Sequence, residues 1–337
     1  MVETYILDNE IIISEEPEFM PCKNLEANIQ YFVVCKKNQH HIGSIDAYDA
    51  FIAGEKIYNW VARACEDAQV LKINDYQNEF EAVKSSITEC DYVVILNGNI
   101  PLINKQHLKD VVGYVIRKNM NACKLKSGFI FKTEYFMEVG EILSADVYNL
   151  KTNDFFEVVN FETLEIAKRE INKRIFAFHS KNGANISPDS VVIDANVQIG
   201  YESSILEKSQ ILKETKICDN VLIGKNTIIE DSNIKDNCVV GNNVVVKNCV
   251  IGANVKIGDN VFLSGCEIQN GCEIHDCTKI IDSNIAMGVI IEKMCDLIGC
   301  EIEENATVGN MARLFKATIQ NGYDVFDGKV IVHREDK

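Results

Sequence analysis

The stretch Ile217-Cys218-Asp219-Asn220-Val221-Leu222-Ile223-Gly224-Lys225-Asn226-Thr227-Ile228-Ile229-Glu230-Asp231-Ser232-Asn233-Ile234 is one full unit of a pattern that repeats along the back half of the chain. Its first residue recurs as Ile234, Ile251, Ile268, Ile285, Ile302 and Ile319, always 17 positions on. Two further aliphatic series keep step: Ile223, Val240, Ile257, Ile274, Ile291, Val308, and Ile229, Val246, Leu263, Ile280, Leu297, Leu314. Within a unit the spacings are six, six and five. A fixed period of this kind marks a stacked repeat architecture. One buried aliphatic every six residues fits neither the 3.6-residue period of a helix nor the two-residue alternation of a simple strand. It predicts a three-sided coil, each side a short strand and each corner a turn, with coils about 4.8 Å apart. This is a parallel β-helix.

Outward from that stretch the register loosens. Ile186, Ile193 and Ile199 open the series, and Ile199 to Ile217 spans 18 residues. The pattern predicts a β-helix over 184–320 of about eight coils, with 321–337 as a C-terminal tail. Corner positions carry Gly200, Gly224, Gly241, Gly252, Gly258 and Gly309, with Asn226, Asn243, Asn260 and Asp219 at others. These residue types tolerate left-handed backbone. The chain holds 13 cysteines, and the repeat accounts for many. Cys249, Cys266 and Cys300 share a column with Ser232, Ser283 and Ala317, and Cys238 and Cys272 share one with Val221, Val255, Val289 and Ala306. Free cysteine acts there as a compact apolar filler. Reduced structural thiols predict a cytoplasmic protein. Cys218 and Cys277 stand outside these columns and are expected to be exposed.

The front half reads as mixed α/β, with a boundary near residue 180. Lys56 to Ala68 predicts an amphipathic helix, Val70–Ile73 a short strand, Tyr92–Leu96 and Phe129–Phe131 buried strands, and 163–178 a charged connecting helix. Alternating strands and helices predict a Rossmann-like, mostly parallel sheet covered on both faces. The net charge of −16 disfavours sequence-independent nucleic-acid binding. The N-terminus shows no secretory signal, and no apolar run is long enough to span a membrane.

Several front-half segments, in order, resemble one family. Asn97-Gly98-Asn99-Ile100-Pro101-Leu102-Ile103 follows the buried strand and resembles the Gly-Asp-x-Pro-Leu-Ile segment of the bifunctional bacterial UDP-N-acetylglucosamine pyrophosphorylase/glucosamine-1-phosphate N-acetyltransferases. Gly113-Tyr114-Val115-Ile116-Arg117, Ser127-Gly128-Phe129-Ile130-Phe131 and Val159-Asn160 resemble later segments of the same family. Together with the repeat, the resemblance covers roughly residues 50 to 310. It implies a nucleotidyltransferase-like α/β domain over 1–180 followed by a left-handed parallel β-helix of hexapeptide repeats. It also implies a sugar-nucleotide substrate, a place in making cell-wall precursors, and a homotrimer. Substrate-binding residues carried over are Asn97, Gly98, Asn99, Gly113, Tyr114 and Gly128, and Asn99 and Asn160 stand at the family's Mg²⁺-binding positions.

The departures are as informative. The family's Gly-rich phosphate loop is missing: the first 50 residues hold only Gly43, and 10–18 is acidic. Such a loop grips phosphates through backbone N–H groups. Asn99 replaces the metal-binding Asp, and an amide supplies a weaker, neutral oxygen. Nucleotidyl transfer depends on positioning and on electrostatic stabilisation, so losing both removes most of its basis. The acetyl-transfer half lacks its His-Leu-x-Tyr-Leu-Gly stretch, and the repeat holds one histidine, His275, at a corner. His179 is expected to be structural. The favoured reading is a sugar-nucleotide-pathway protein with reduced or lost uridyltransferase activity and a binding or regulatory role. An active nucleotidyltransferase with an altered, Mg²⁺-dependent site and a hexapeptide-repeat acyltransferase are the alternatives. No catalytic residue is assigned.

Overall fold

The computed structural model describes residues 4–7, 10–13, 27–65, 67–74, 78–138, 147–150, 155–187 and 190–332. Most of the acidic segment after Ile13, and the tail residues His333, Glu335 and Asp336, lie outside the described residues. The chain divides into two compact units, Met1–Ile171 and Asn172–Lys337.

The first unit is built on one sheet. Its strands are β1 (Thr4–Leu7), β2 (Glu10–Ile13), β3 (Ile29–Lys36), β8 (Gln69–Ile73), β9 (Tyr92–Asn97), β10 (Ala122–Leu125), β11 (Gly128–Lys132) and β12 (Val147–Leu150), in the order β1-β2-β12-β10-β11-β9-β3-β8. Between β3 and β8 lie two small hairpins, β4 (His41–Ile42) with β5 (Ile45–Asp46), and β6 (Phe51–Ile52) with β7 (Glu55–Lys56). Four sheet pairings are parallel and three antiparallel. The antiparallel ones are tight hairpins or their neighbours: Leu125 faces Gly128 across a two-residue turn, which reverses the chain.

Strand periodicity sorts the core. Tyr31, Val33 and Cys35 of β3 and Val94 and Leu96 of β9 pack beneath α1 (Ile57–Ala64) and α3 (Lys105–Arg117). Phe32, Val34, Val93 and Ile95 face α2 (Glu79–Lys84) and α4 (Thr133–Glu138) on the other side. Helices therefore cover both faces, as expected. Helix α1 is shorter than the predicted 56–68, because Asp67 turns at φ +50° and strand β8 begins two residues later. Helix α5 (Phe161–Lys181) contains the predicted connecting helix.

The second unit is the expected β-helix. Three parallel sheets of nine, nine and eight strands run along it, one per side. The register follows the repeat: Ile217 pairs with Ile234, Val240 with Ile257, and Val246 with Leu263. Inward aliphatics are buried throughout, with Ile251 and Leu263 fully covered. Strands Asp324–Val325 and Val330–Val332 fall within the residues read as a tail. Val325 extends the Val308 column and Ile331 the Leu314 column, so the stack continues. The chain thus combines an α/β domain with a left-handed parallel β-helix.

The corners correct one expectation. Gly224, Gly241, Gly252, Gly258 and Gly309 are not the residues in left-handed conformation; Asn226, Asn243, Asn254 and Asn260 are, at φ +56° to +58°. The glycines are needed for closeness. A Cβ on Gly224 would lie 2.3 Å from the carbonyl oxygen of Gly241 in the next coil. Asp219 is not left-handed either. Its Oδ1 accepts from Tyr201 N at 2.8 Å, and its own N–H donates to Asp236 Oδ1 at 3.0 Å, knitting coil to coil.

Candidate functional site

In open α/β sheets, ligands bind in the crevice beyond the carboxyl ends of parallel strands. Here β3 and β9 are adjacent and parallel, and their carboxyl ends open into one cleft. Val34, Lys36, Gln39, His40, Ala47, Tyr48, Asn97, Gly98 and Asn99 line it, around an enclosed volume of about 10 Å³. Three of these residues, Asn97, Gly98 and Asn99, were predicted from the sequence. The others come from the end of β3, the loop after it and the turn after β5. Asp46 holds that loop: Asn38 N donates to its Oδ1 at 2.8 Å and Tyr48 Oη to its Oδ2 at 3.1 Å. Burial, and the Asp46 carboxylate beside it, push the Tyr48 pKa up, so the hydroxyl stays a donor. Beneath the cleft, burial pushes the Cys35 thiol up to about 12, which leaves it unreactive.

The segment Lys36 to His41, at the end of β3 and in the loop after it, borders the cleft. It is basic, and the lining contains no carboxylate. Lys36 Nζ is held by Glu79 at 2.6 Å. Gly98 must be glycine. Its N–H donates to Val34 O at 2.8 Å, and a Cβ there would sit 2.5 Å from Cys35 Sγ.

Asn99 is buried and already committed. Its Nδ2 donates to Val158 O at 3.2 Å, while its own carbonyl accepts from Val158 N at 2.8 Å. An aspartate at this position could not donate to that carbonyl. Asn160 caps α5: its Oδ1 accepts from Thr163 N at 3.0 Å, and Thr163 Oγ1 accepts from Asn160 N at 3.0 Å. This reciprocal pair is a capping box. The two carried-over metal positions thus supply neutral amides, one donating and one satisfying a helix end. Nearby Glu157 accepts a hydrogen bond from Ser127 Oγ. Among the described residues no three His, Cys, Asp or Glu side chains converge as a metal site. Mg²⁺ coordination requires hard anionic oxygens, and the residues present do not fit it.

The remaining predicted residues do not line the cleft. Gly113 and Tyr114 lie inside helix α3, with Gly113 buried. Gly128 pairs with Leu96 of β9, and a Cβ there would come within 2.2 Å of Ile95 O. Close strand approach accounts for that glycine.

On the β-helix, His275 is half-buried at a corner, 4.0 Å from Glu273 Oε2. A shallow groove on another side is lined by Glu267, Glu301 and Glu303 with Gln269, Asn284 and Ala286. Those carboxylates repel the phosphates of an acyl-carrying coenzyme. His179 is buried, and burial holds its pKa below the ordinary value.

A family model described as the GMPPB C-terminal domain matches residues 177–270. That stretch covers the end of α5 and the first coils. No curated protein matches the chain. Among solved structures, a CMP:2-keto-3-deoxy-manno-octonic acid synthetase complexed with CTP is 8% identical, with a TM-score of 0.36 over 44% of this chain and 99% of that one. A UDP-N-acetylglucosamine acyltransferase from Campylobacter jejuni is 21% identical, with a TM-score of 0.22 over 44% of this chain and 65% of that one. The chain therefore resembles sugar-nucleotidyltransferase-related proteins in part; the UDP-N-acetylglucosamine pyrophosphorylase family is not singled out. Among the described residues no helix is long and apolar enough to cross a membrane.

Proposed function

We propose that the protein is a non-catalytic relative of sugar nucleotidyltransferases that binds the phosphate-bearing part of a sugar nucleotide in the β3–β9 crevice. The observation that carries this is the lining: Lys36, Gln39 and His40, with no carboxylate to hold a metal. Phosphate is attracted, but the charge that drives nucleotidyl transfer has no anchor. The crevice encloses only about 10 Å³, room for about one water, so a phosphate would sit at its mouth and the base and sugar would extend beyond it. UDP-N-acetylglucosamine is the ligand of first choice, following the motif resemblance.

Thermal unfolding with and without ligand tests this reading. Selective binding at 100 times Kd stabilises by about 2.7 kcal/mol, and Lys36→Ala with His40→Ala should abolish the shift. UTP, Mg²⁺ and N-acetylglucosamine-1-phosphate should release no pyrophosphate. Sustained release would overturn the proposal.

Self-association fits one side of the β-helix, and a homotrimer follows the family resemblance. Ile228, Val245 and Phe262, then Ile281, Ile298 and Phe315, point outward in two columns. The charges in those strands are Glu230 and Asp296 against Lys247, Lys279 and Arg313. That balance suits contact between copies of a chain carrying −16. Light scattering that returns the monomer mass would refute it. The cytoplasmic location remains part of this same reading.

A further inference from the structure

One corner column of the β-helix changes chemistry along its length. Asn226, Asn243 and Asn260 occupy it in three successive coils at φ +56° to +58°; Cys277, Met294 and Met311 continue it at φ +60°, +61° and +58°. The conformation does not change, but the side chains pass from amides to sulfur. Asparagine suits left-handed backbone, whereas cysteine and methionine do not.

The asparagines show where side chains of this column point. Asn226 Nδ2 donates to Asn243 Oδ1 at 3.2 Å, and Asn243 Nδ2 to Asn260 Oδ1 at 3.3 Å. Successive side chains therefore lie in one ladder, tip to tip. The backbone continues the same stacking through the sulfur coils. Asn260 N donates to Asn242 O at 2.9 Å, Cys277 N to Asp259 O at 2.9 Å, Met294 N to Asp276 O at 3.0 Å, and Met311 N to Lys293 O at 2.9 Å. Cys277, Met294 and Met311 are all exposed, Met294 at 59% and Met311 at 57%. One thiol and two thioethers thus share an accessible row with the pitch of the coil.

We propose that this corner is a binding site for a soft monovalent metal ion, Cu(I) in the first instance. Thiolate and thioether ligands select Cu(I) over the hard divalent cations. The spacing agrees: two metal–sulfur bonds of about 2.3 Å span about 4.6 Å, close to the ~4.8 Å between coils. An ion between Cys277 and Met294 is bound by both, in the two-coordinate arrangement open to Cu(I), and Met311 offers a second thioether as Met294's other neighbour in the row. Binding replaces the Cys277 thiol proton, so one proton leaves for each ion taken up. The chain's net charge of −16 favours the cation. This site is independent of the crevice between β3 and β9.

The test is anaerobic titration of the whole chain with Cu(I) in competition with a chromogenic Cu(I) chelator. The wild-type chain should withdraw one equivalent. Cys277→Ser, and separately Met294→Leu with Met311→Leu, should each weaken that equivalent at least tenfold while the unfolding midpoint holds. Met294→Asn with Met311→Asn puts the residue type of the earlier coils at the last two corners, beyond Cys277; it should lose the copper and unfold no earlier than wild type. Failure of the wild-type chain to compete overturns the proposal. So does copper retained at wild-type affinity by the serine and leucine variants, which would put the metal on other thiols such as Cys90 or Cys218.

Discussion

The β-helix and the α/β unit bury the same kinds of side chain, but only one of them repeats its surroundings. Ile234, Ile251 and Ile268 each meet an isoleucine one coil before and one coil after, in identical register. In the α/β unit, Val94 packs between β3 and β11, while Val61 lies on a helix against the same core. No two positions there are equivalent. Repetition makes a long, redundant stack and uniform surfaces. Irregularity brings Val34, Lys36, Tyr48 and Asn97 into one cleft from three separate segments. The exception to uniformity within the stack is the sulfur corner, where the backbone repeats and the chemistry does not.

That contrast can be broken by measurement. Ile234→Ala, Ile251→Ala and Ile268→Ala should each cost about 2–5 kcal/mol in denaturant unfolding, because the coils on both sides hold the gap open. The three costs should agree; a spread across that whole range would show the coils to be inequivalent. Gly128→Ala should cost about 1–3 kcal/mol by thermal unfolding, since the added Cβ meets Ile95 O at 2.2 Å on top of the strain of φ +150°. The same change at Gly322 in the β-helix meets nothing within 4 Å and bears only the strain of φ +65°, about 1–2 kcal/mol. Equal costs at the two sites would undo the distinction between crowding and conformation. Asn160→Ala removes the cap of α5 and should cost about 0.5–2 kcal/mol. Asn160→Asp keeps the acceptor and should cost less.

The smallest effect concerns pH. Burial holds His179 below its ordinary value of 6.5, so the unfolded chain takes up the proton first as pH falls. Its contribution to stability is complete above pH 6.5 and is lost progressively below it. His179→Gln should flatten the unfolding midpoint between about pH 5 and about pH 7.5, and an unchanged slope would assign the dependence elsewhere.

The β-helix was nearly all legible beforehand. Columns of Ile and Val at a constant interval announce burial without knowledge of any partner, because the partner is the next copy of the same pattern. Even Val325 and Ile331 carried the signal, although that stretch was read as a tail. In the front half, strand β9 and helix α5 were legible from their own periodicity. The central strand β3 was passed over despite its apolar run Tyr31-Phe32-Val33-Val34-Cys35. With β3 missing, the loop after it could not be recognised as one wall of the cleft, and Lys36, Gln39, His40 and Tyr48 went unassigned. Gly113 and Tyr114, matched as a short motif, lie in helix α3 and not along the cleft.

By itself, the sequence determined the stacked coil, the alternation of strand and helix before it, and the scarcity of glycine in the first 50 residues. Each of these is written in local spacing and residue type. Only the tertiary structure decided what Asn99 and Asn160 do, which residues share the cleft, and that one cysteine and two methionines stand exposed at a left-handed corner. A hydrogen-bond partner such as Val158 O is chosen by how the chain packs. The same amide can hold a metal, cap a helix or tie down a loop, and its surroundings settle which.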